Sequence, residues 1–468
     1  VEEVKTYWNK PPEGKYIPYQ EFVAYSVGGI GVNTINSLFG YVALTANCLL
    51  LGSAYQIAPM DLAIMSIVMS ILNLVKTPFI SMLVDNTNTK YGKFRPYLLI
   101  TGVPTAALLI LMAFIPNSLS YPLKCTMLSL IYALLMIFQS LYALAFTSLA
   151  QVLTPNGEER TGLLSVSQFI YSLGPSIVNL FFPILAGLFA GGMTGFTAYR
   201  TLFPIFSVFG IILSLWTFKG TEEKIVVPRN YVAKVRFVDG ISEIKSNKYF
   251  WLMTLYNVLG GLKGGIGGIL AWYCIYVVRS DAVLGVMNAV IGTASVPGML
   301  LAPLLAKKIG KRSSLIWFNL LRAGFAGLML VTTKSPFLFL ACLYLSTAAI
   351  GGDGVMVSAM TADVFDYQQW KTGKRLEGFI TQFSGMLVTA ATMLFNLILP
   401  WFYEHYGLEK DYTVLFQEAV RTPIFNIMII TTVISCLAAV IPILFYDMTE
   451  KKQAEIIADL KERAEAEI

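Results

Sequence analysis

Apolar stretches of about twenty residues or more recur along the whole chain, separated by shorter polar segments. A helix needs roughly 20 apolar residues to cross a bilayer. Twelve such runs are read, near 24–51, 61–84, 96–115, 124–150, 163–191, 200–218, 249–278, 283–306, 313–333, 336–362, 377–403 and 421–446. Backbone groups in lipid have no water to bind, so these runs are expected as helices rather than strands. Several are long enough to tilt or to extend beyond the bilayer. The pattern predicts an all-α integral membrane protein.

Composition agrees with the pattern. Hydrophobic residues make up 56% and charged residues 13%, with a mean hydropathy of +0.65, far from a soluble domain. The cations are spread unevenly. Segments after the even-numbered runs hold eighteen Lys and Arg, from Lys90, Lys93 and Arg95 through Lys371, Lys374 and Arg375. Segments on the other side, with their borders, hold six: Lys124, Arg200, Arg279, Lys334, Lys410 and Arg421. The positive-inside rule then puts both termini in the cytoplasm. The net charge of +6 is mostly this bias, so it implies no nucleic-acid partner. Five cysteines (Cys48, Cys125, Cys274, Cys342, Cys436) lie in or beside apolar runs without metal spacing, and read as buried thiols. No metal and no cofactor is expected.

The longest inner segment, 219–248, divides the chain into two six-run halves, 21–218 and 249–446. An N-terminal segment, 1–20, is polar and Pro-containing, unlike a cleavable signal peptide. The tail, 447–468, reads as a charged amphipathic helix, solvated or lying on the inner leaflet. A weak internal repeat supports the division: Asp85 to Arg95 follows run 2, and Lys307-Lys308-Ile309-Gly310-Lys311-Arg312 follows run 8. Repeated halves with a site near the midplane are the plan of a secondary transporter.

Charges inside spans cost roughly 2.5–3.5 kcal/mol each on insertion scales, which makes the few present the best site candidates. Lys76 lies in run 2 with Asn73 and Thr77 at helical spacing, so all three are expected to face one cavity. Snorkelling is the competing role, but the nine residues to Asp85 span about 13 Å of helix. Lys263 lies among glycines in Gly260-Gly261-Leu262-Lys263-Gly264-Gly265, and Asp353 in Gly351-Gly352-Asp353-Gly354. A Lys263–Asp353 ion pair is the structural alternative to cavity roles, because unpaired buried charge is expensive. For Arg322 in run 9, snorkelling or helix packing is the ordinary role. Amides and hydroxyls such as Asn33, Asn36, Gln139, Gln168, Asn257 and Gln382 suit a polyol. Tyr256, Trp272 and Tyr273 are candidate sugar-stacking rings, with packing against lipid or in the core the ordinary role for each.

Two polar segments carry the most specific signal. One is Val84-Asp85 through Tyr91-Gly92-Lys93-Phe94-Arg95-Pro96; the other runs from Ala362-Asp363-Val364-Phe365-Asp366-Tyr367 through Lys371-Thr372-Gly373-Lys374-Arg375 to Leu376-Glu377-Gly378. At the water boundary charge is cheap, so Asp85, Lys93, Arg95, Asp363, Asp366 and Arg375 are expected to gate and scaffold rather than bind solute, through pairs that break as the protein rocks. Both segments resemble signatures of the glycoside-pentoside-hexuronide transporters, the melibiose- and glucuronide-permease branch of the major facilitator superfamily. The tail Met448-Thr449-Glu450-Lys451-Lys452 is similar to that of the glucuronide permeases. The resemblance implies a twelve-helix major facilitator fold, a sugar-like solute and a bacterial inner membrane.

It also marks a departure. In melibiose-type members two helix II aspartates build the cation site, with helper carboxylates on helices I and IV. The resemblance places the pair on Asn73 and Thr77 and the helix I aspartate on Asn33. The helix IV aspartate falls on Ala143 and the sugar-stacking tryptophan on Thr147. A helix V arginine falls on Gln168 and a helix XI lysine on Thr389. Sodium prefers oxygen ligands with a full negative charge nearby, and these positions offer neutral groups beside Lys76. Sodium symport by that route is therefore not expected. Two mechanisms stay open: an exchanger or uniporter whose cavity lysines attract an acidic solute such as a uronide, glucuronide or sulfonated sugar, and a proton-coupled symporter of a neutral glycoside using Asp353, with Glu21 the other carboxylate in reach. A transporter-derived sensor is a third possibility. The chain lacks a catalytic constellation and a phosphate-binding loop, which argues against an enzyme or an ATP-driven pump.

Overall fold

The computed structural model describes residues 7–85, 89, 91–154, 157–224, 243–373 and 377–466. Among them no strand forms beyond one isolated bridge between Thr89 and Gly92. The chain divides into two compact units, one comprising 1–231 with the short pieces 279–286 and 409–413, the other the remainder. Among the described residues, eleven helical stretches are long and apolar enough to cross a membrane. A further helix, Tyr19–Gly40, is of spanning length but is diluted by glycine, serine and asparagine.

The first unit contains α1 (Tyr19–Gly40), α2 (Pro59–Asp85), α3 (Arg95–Ile100), α4 (Gly102–Phe114), α5 (Tyr121–Val152), α6 (Gly157–Tyr171), α7 (Leu173–Phe189) and α8 (Phe196–Gly220). Three runs read as continuous are broken. The first stops at Gly40, and after a turn the chain makes a wide helical turn at Leu50–Ala54. α3 gives way to α4 at Thr101, whose hydroxyl bonds the Tyr97 carbonyl at 2.6 Å. α6 gives way to α7 at Ser172.

Close approach of α1 and α8 explains the glycines of α1. A Cβ on Gly28 would lie 1.7 Å from the Thr217 hydroxyl, and one on Gly31 only 2.2 Å from the Gly210 carbonyl. Thr217 donates to the Ala24 carbonyl at 2.9 Å across the same seam. On α2 the sequence sorts itself by face. Ile64, Val68, Ile71, Val75, Phe79 and Leu83 form an exposed apolar stripe at helical spacing, as a lipid-facing helix requires.

The second unit contains α9 (Lys248–Leu259), α10 (Ile269–Trp272), α11 (Asp281–Gly292, shared with the first unit at its start), α12 (Ser295–Ile309), α13 (Lys311–Thr332), α14 (Pro336–Thr372), α15 (Glu377–Phe395), α16 (Ile398–His405), α17 (Glu418–Leu444) and α18 (Glu450–Ala466). The Asn247 side chain caps α9 by accepting from Phe250 N at 3.1 Å. Between α9 and α10 the glycine-rich segment Gly260–Gly268 tightens to a 3-10 helix. Its glycines admit neighbours: Gly261 faces Phe395, and Gly265 faces Leu399. α12 and α14 touch backbone to backbone, with Gly298 against the Ala348 carbonyl and Gly351 against the Ser295 carbonyl.

Trp272 and Tyr273 take the core-packing role, Tyr273 also bordering a cavity of 380 Å³ with Thr333, Glu418 and Arg421. Both are fully buried, Trp272 against Tyr403 and Tyr273 stacked on Phe339 at 3.9 Å. The tail forms the expected helix and is tied to the rest of its unit. α18 docks on the end of α14, where Asp459 accepts from the Trp370 indole at 2.5 Å and Arg463 donates to the Trp370 carbonyl at 3.0 Å. The tenth run extends past 362 to Thr372 as one helix, closed by Gly373 with φ +72°.

Candidate functional site

In the first unit the polar residues of α2 separate. Asn73 and Thr77 are exposed, and the Thr77 hydroxyl donates to the Asn73 carbonyl at 2.7 Å. Lys76 is 7% exposed and turns the other way, onto α5. Its ammonium donates to the Met136 carbonyl at 2.8 Å and to the Ser140 hydroxyl. The three residues therefore do not point together, because i, i+3 spacing still leaves some 60° between side chains and the α5 backbone takes the lysine. Nor does Lys76 snorkel.

The sugar-compatible groups of this unit meet on α1, α5 and α6. Asn33 donates to the Tyr171 carbonyl at 3.0 Å and Asn36 to the Tyr171 hydroxyl at 3.1 Å. Gln139 donates to the Asn36 carbonyl oxygen at 3.0 Å. The Tyr171 ring stacks on Phe146, and Phe146 on Tyr25. Gln168, one turn before Tyr171, is exposed. Thr147 is exposed too, its hydroxyl tied to the Ala143 carbonyl of its own helix. Glu21 is paired with Lys224 at 2.7 Å.

In the second unit the charges converge. Lys263 (7% exposed) lies over the Tyr256 ring, 4.1 Å from its centroid, and donates to the Tyr256 hydroxyl at 2.8 Å. Tyr256 in turn donates to Asp353, which stands 3.8 Å from the Lys263 ammonium. Asn319 donates to the same carboxylate oxygen at 2.7 Å. Arg322 donates to the Lys263 carbonyl. It is buried mid-unit rather than snorkelling. The ion pair raised as an alternative for Lys263 and Asp353 is therefore present, and Tyr256 belongs to it rather than to a lipid face.

Beside this cluster lies a cavity of 580 Å³, walled by α9, the 3-10 segment, α14 and α15. Thr254, Asn257, Thr381, Ser384 and Thr389 bring hydroxyls and an amide to it, Phe250 and Val388 bring apolar surface, and Gly260 and Gly261 form its glycine wall. A mostly apolar pocket with a few placed polar groups is what a small polar solute requires.

The two charged segments are built alike. Gly92 has φ +108°, which only glycine tolerates well, and the next three backbone N–H groups, of Lys93, Phe94 and Arg95, donate to the Glu223 carboxylate at 2.7–2.9 Å. Arg95 also bonds the Phe218 carbonyl at the end of α8 at 2.7 Å. In the second unit Gly310 has φ +83°, Lys311 N donates to Glu450 at 2.6 Å, and Arg312 bonds the Leu444 carbonyl at the end of α17 at 2.6 Å. The first loop thus cradles its carboxylate in a backbone nest, the second holds its carboxylate by one backbone N–H, and each caps a helix C-terminus with an arginine. Asp363 pairs with Lys311 at 2.8 Å, and Asp366 is half-buried one turn on. The Asp85 side chain and Arg375 lie outside the described residues. Close by, Lys248 and Tyr249 hydrogen-bond Asp447 and hold its carboxyl down at about 2.

Sequence reasoning missed Glu223 and Glu450 as partners of these loops. The signal was present but faint: Phe218 to Glu223 and Phe445 to Glu450 share a Phe followed five residues later by Glu. Tyr256 and Asn319 were missed as members of the charge cluster because nothing local marks them.

Two units of long apolar helices, each with a carboxylate-holding loop at the same relative place, define a membrane carrier of the major facilitator type. The chain belongs to the family described as MFS/sugar transport protein, whose model matches residues 24–450. It is 24% identical to the isoprimeverose transporter of Lactiplantibacillus pentosus, across 79% of this chain and 76% of that one. It is 25% identical to the glucuronide carrier protein homolog of Escherichia coli, across 82% and 84%. Among solved structures it is similar in fold to a bacterial homologue of the iron transporter ferroportin in its inward-facing state, with a TM-score of 0.62, 15% identity, and 92% and 98% of the two chains covered. The glycoside-pentoside-hexuronide resemblance stands, and the protein is a multi-pass membrane transporter for a sugar-like solute.

Proposed function

We propose that this protein exchanges a sugar acid or a related acidic glycoside across a bacterial inner membrane by alternating access, without sodium, with both termini in the cytoplasm. The observation that carries the reading is the position of Lys263, a buried ammonium one glycine away from a cavity lined with sugar-compatible groups. The named relatives support the class: one is an isoprimeverose transporter and one a glucuronide carrier protein homolog. In this scheme Asn33, Gln139 and Gln168 of the first unit bind hydroxyls, and so do Asn257, Ser384 and Thr389 of the second. Asn73 and Thr77 supply neutral oxygen only, and the ammonium of Lys76 already ties α2 to α5. A bound sodium has neither a carboxylate to hold it nor a gap to bridge there. Asp353 is engaged by Lys263, Tyr256 and Asn319, which favours an ion-pair role over that of a proton carrier. Asp85, Lys93, Arg95, Asp363, Asp366 and Arg375 shape the inner loops that gate the path.

Counterflow in proteoliposomes tests this, with labelled glucuronide and a neutral galactoside, each with and without sodium and a proton gradient. Glucuronide exchange indifferent to both ions is the expected result. Neutral-sugar uptake driven by protons and lost in Asp353→Asn would overturn it. A sodium requirement would do the same.

A further inference from the structure

Among the described residues the second unit encloses few charges. Lys263, Arg322 and Asp363 are each less than a tenth exposed, and the Asp353 side chain, at 15%, sits on the edge of that set. Asp363 is matched by Lys311. That leaves Asp353 alone to balance both Lys263 and Arg322. Arginine does not lose its proton in a protein. The remaining titratable neighbours, Tyr256 on α9 and Cys436 on α17, are neutral when protonated, and Asn319 and Ser346 carry no charge. The cluster therefore holds one positive charge more than it can pair. Buried charge of that kind ordinarily finds a counter-ion.

Two further observations say where the counter-ion comes from. The Arg322 Nε, a donor, is buried with no hydrogen-bond partner. The Lys263 stem lies on Gly260, within 3.1–3.4 Å of where a Cβ would stand, and Gly260 is part of the cavity wall. Gly260, a residue with no side chain, thus touches both the Lys263 stem and the cavity.

We infer that Arg322 and Lys263 form an anion subsite, and that the carboxylate or sulfonate of the solute supplies the missing negative charge. This rests on the solute reading above and sharpens it, because it moves anion recognition from Lys76, whose ammonium is used between α2 and α5, to the α9–α13–α14 cluster. Tyr256 and Asp353 are then positioning residues that hold the Lys263 ammonium. The charge count sets the direction of every substitution. Arg322→Gln or Lys263→Met removes the surplus. Arg322→Lys keeps it, and Asp353→Asn enlarges it.

The test uses the purified full chain and two probes that differ only in charge, methyl β-D-glucuronide and methyl β-D-glucoside, at matched ionic strength. Thermal stabilisation gives the half-saturating concentration of each. In the unaltered protein the glucuronide is expected to saturate at a concentration about tenfold lower than the glucoside. Arg322→Gln and Lys263→Met should erase that preference, while Arg322→Lys and Asp353→Asn retain or strengthen it. The opposed pair Arg322→Lys and Asp353→Asn keeps the test decisive if Arg322→Gln does not fold. Equal saturation by both probes overturns the subsite, as does loss of preference in Asp353→Asn or its survival in Lys263→Met. Stabilisation by the glucoside alone sinks the subsite and the acidic-solute reading together, whereas a glucuronide preference that survives in both Lys263→Met and Arg322→Gln sinks the subsite alone. Silence with both probes, joined to silent counterflow, sinks both.

Discussion

At the scale of residues, polar side chains in this protein are decided by what they can reach. Lys76 reaches the Met136 carbonyl and Ser140, so its charge is spread over hydrogen bonds rather than over a counter-ion. Asp447 reaches Lys248 and Tyr249 outside the membrane, and its carboxyl is held at about 2 against an ordinary 3.8. A carboxyl with a lowered folded-state value contributes stability that is complete above about pH 4 and fades as pH falls towards 2. Asp447→Asn should therefore shrink the loss of melting temperature between about pH 5 and pH 3. Both side chains are about half exposed, so the effect is modest and should diminish further in about 1 M salt. An unchanged acid profile in the variant would show that the pair contributes nothing.

At the scale of elements, glycine decides which helices touch. Gly298 on α12 and Gly351 on α14 each stand where a Cβ would come within 1.9 Å of a facing carbonyl. Gly298→Ala should cost stability at the upper end of the roughly 1–3 kcal/mol typical of overpacking, since backbone rather than a flexible side chain is in the way. Gly264→Ala, on the same unit but with open space around it, is the control and should leave the melting temperature within a degree or two, on the order of the small gain from removing a glycine. Equal effects of the two would mean that the α12–α14 seam tolerates a shift. The two carboxylate-holding loops obey a related logic. Gly92 and Gly310 must be glycine for a backbone reason, and the Glu223 and Glu450 carboxylates fill the space a Cβ would take.

At the scale of the whole molecule, the charge bias makes a sidedness prediction. Cys125 and Cys342 are partly exposed rather than buried, so single cysteines placed at Ser246 and at Glu404, in a background with those two replaced by serine, should differ in labelling by an impermeant maleimide. Ser246→Cys should react only in inverted vesicles and Glu404→Cys only in intact cells. The reverse pattern would turn the topology over. Much of this scale was legible in the chain itself. Apolar length and the asymmetry of Lys and Arg are one-dimensional properties, so they determined the class, the spans and the expected orientation. The Gly92-Lys93-Phe94-Arg95 and Ala362-Asp363 segments likewise carried the family, because each is a short contiguous motif, whereas the Glu223 carboxylate that the first one holds lies 128–130 residues away. Helix breaks at Thr101 and Ser172 escaped notice, since hydropathy is blind to backbone hydrogen bonding. Only the tertiary structure decided which charges are balanced. Lys76 meets Met136 sixty residues away, and Lys263 meets Asp353 ninety residues away. Those encounters depend on how each helix is rotated against its neighbours, and rotation is set by packing along whole helices rather than by any residue read alone.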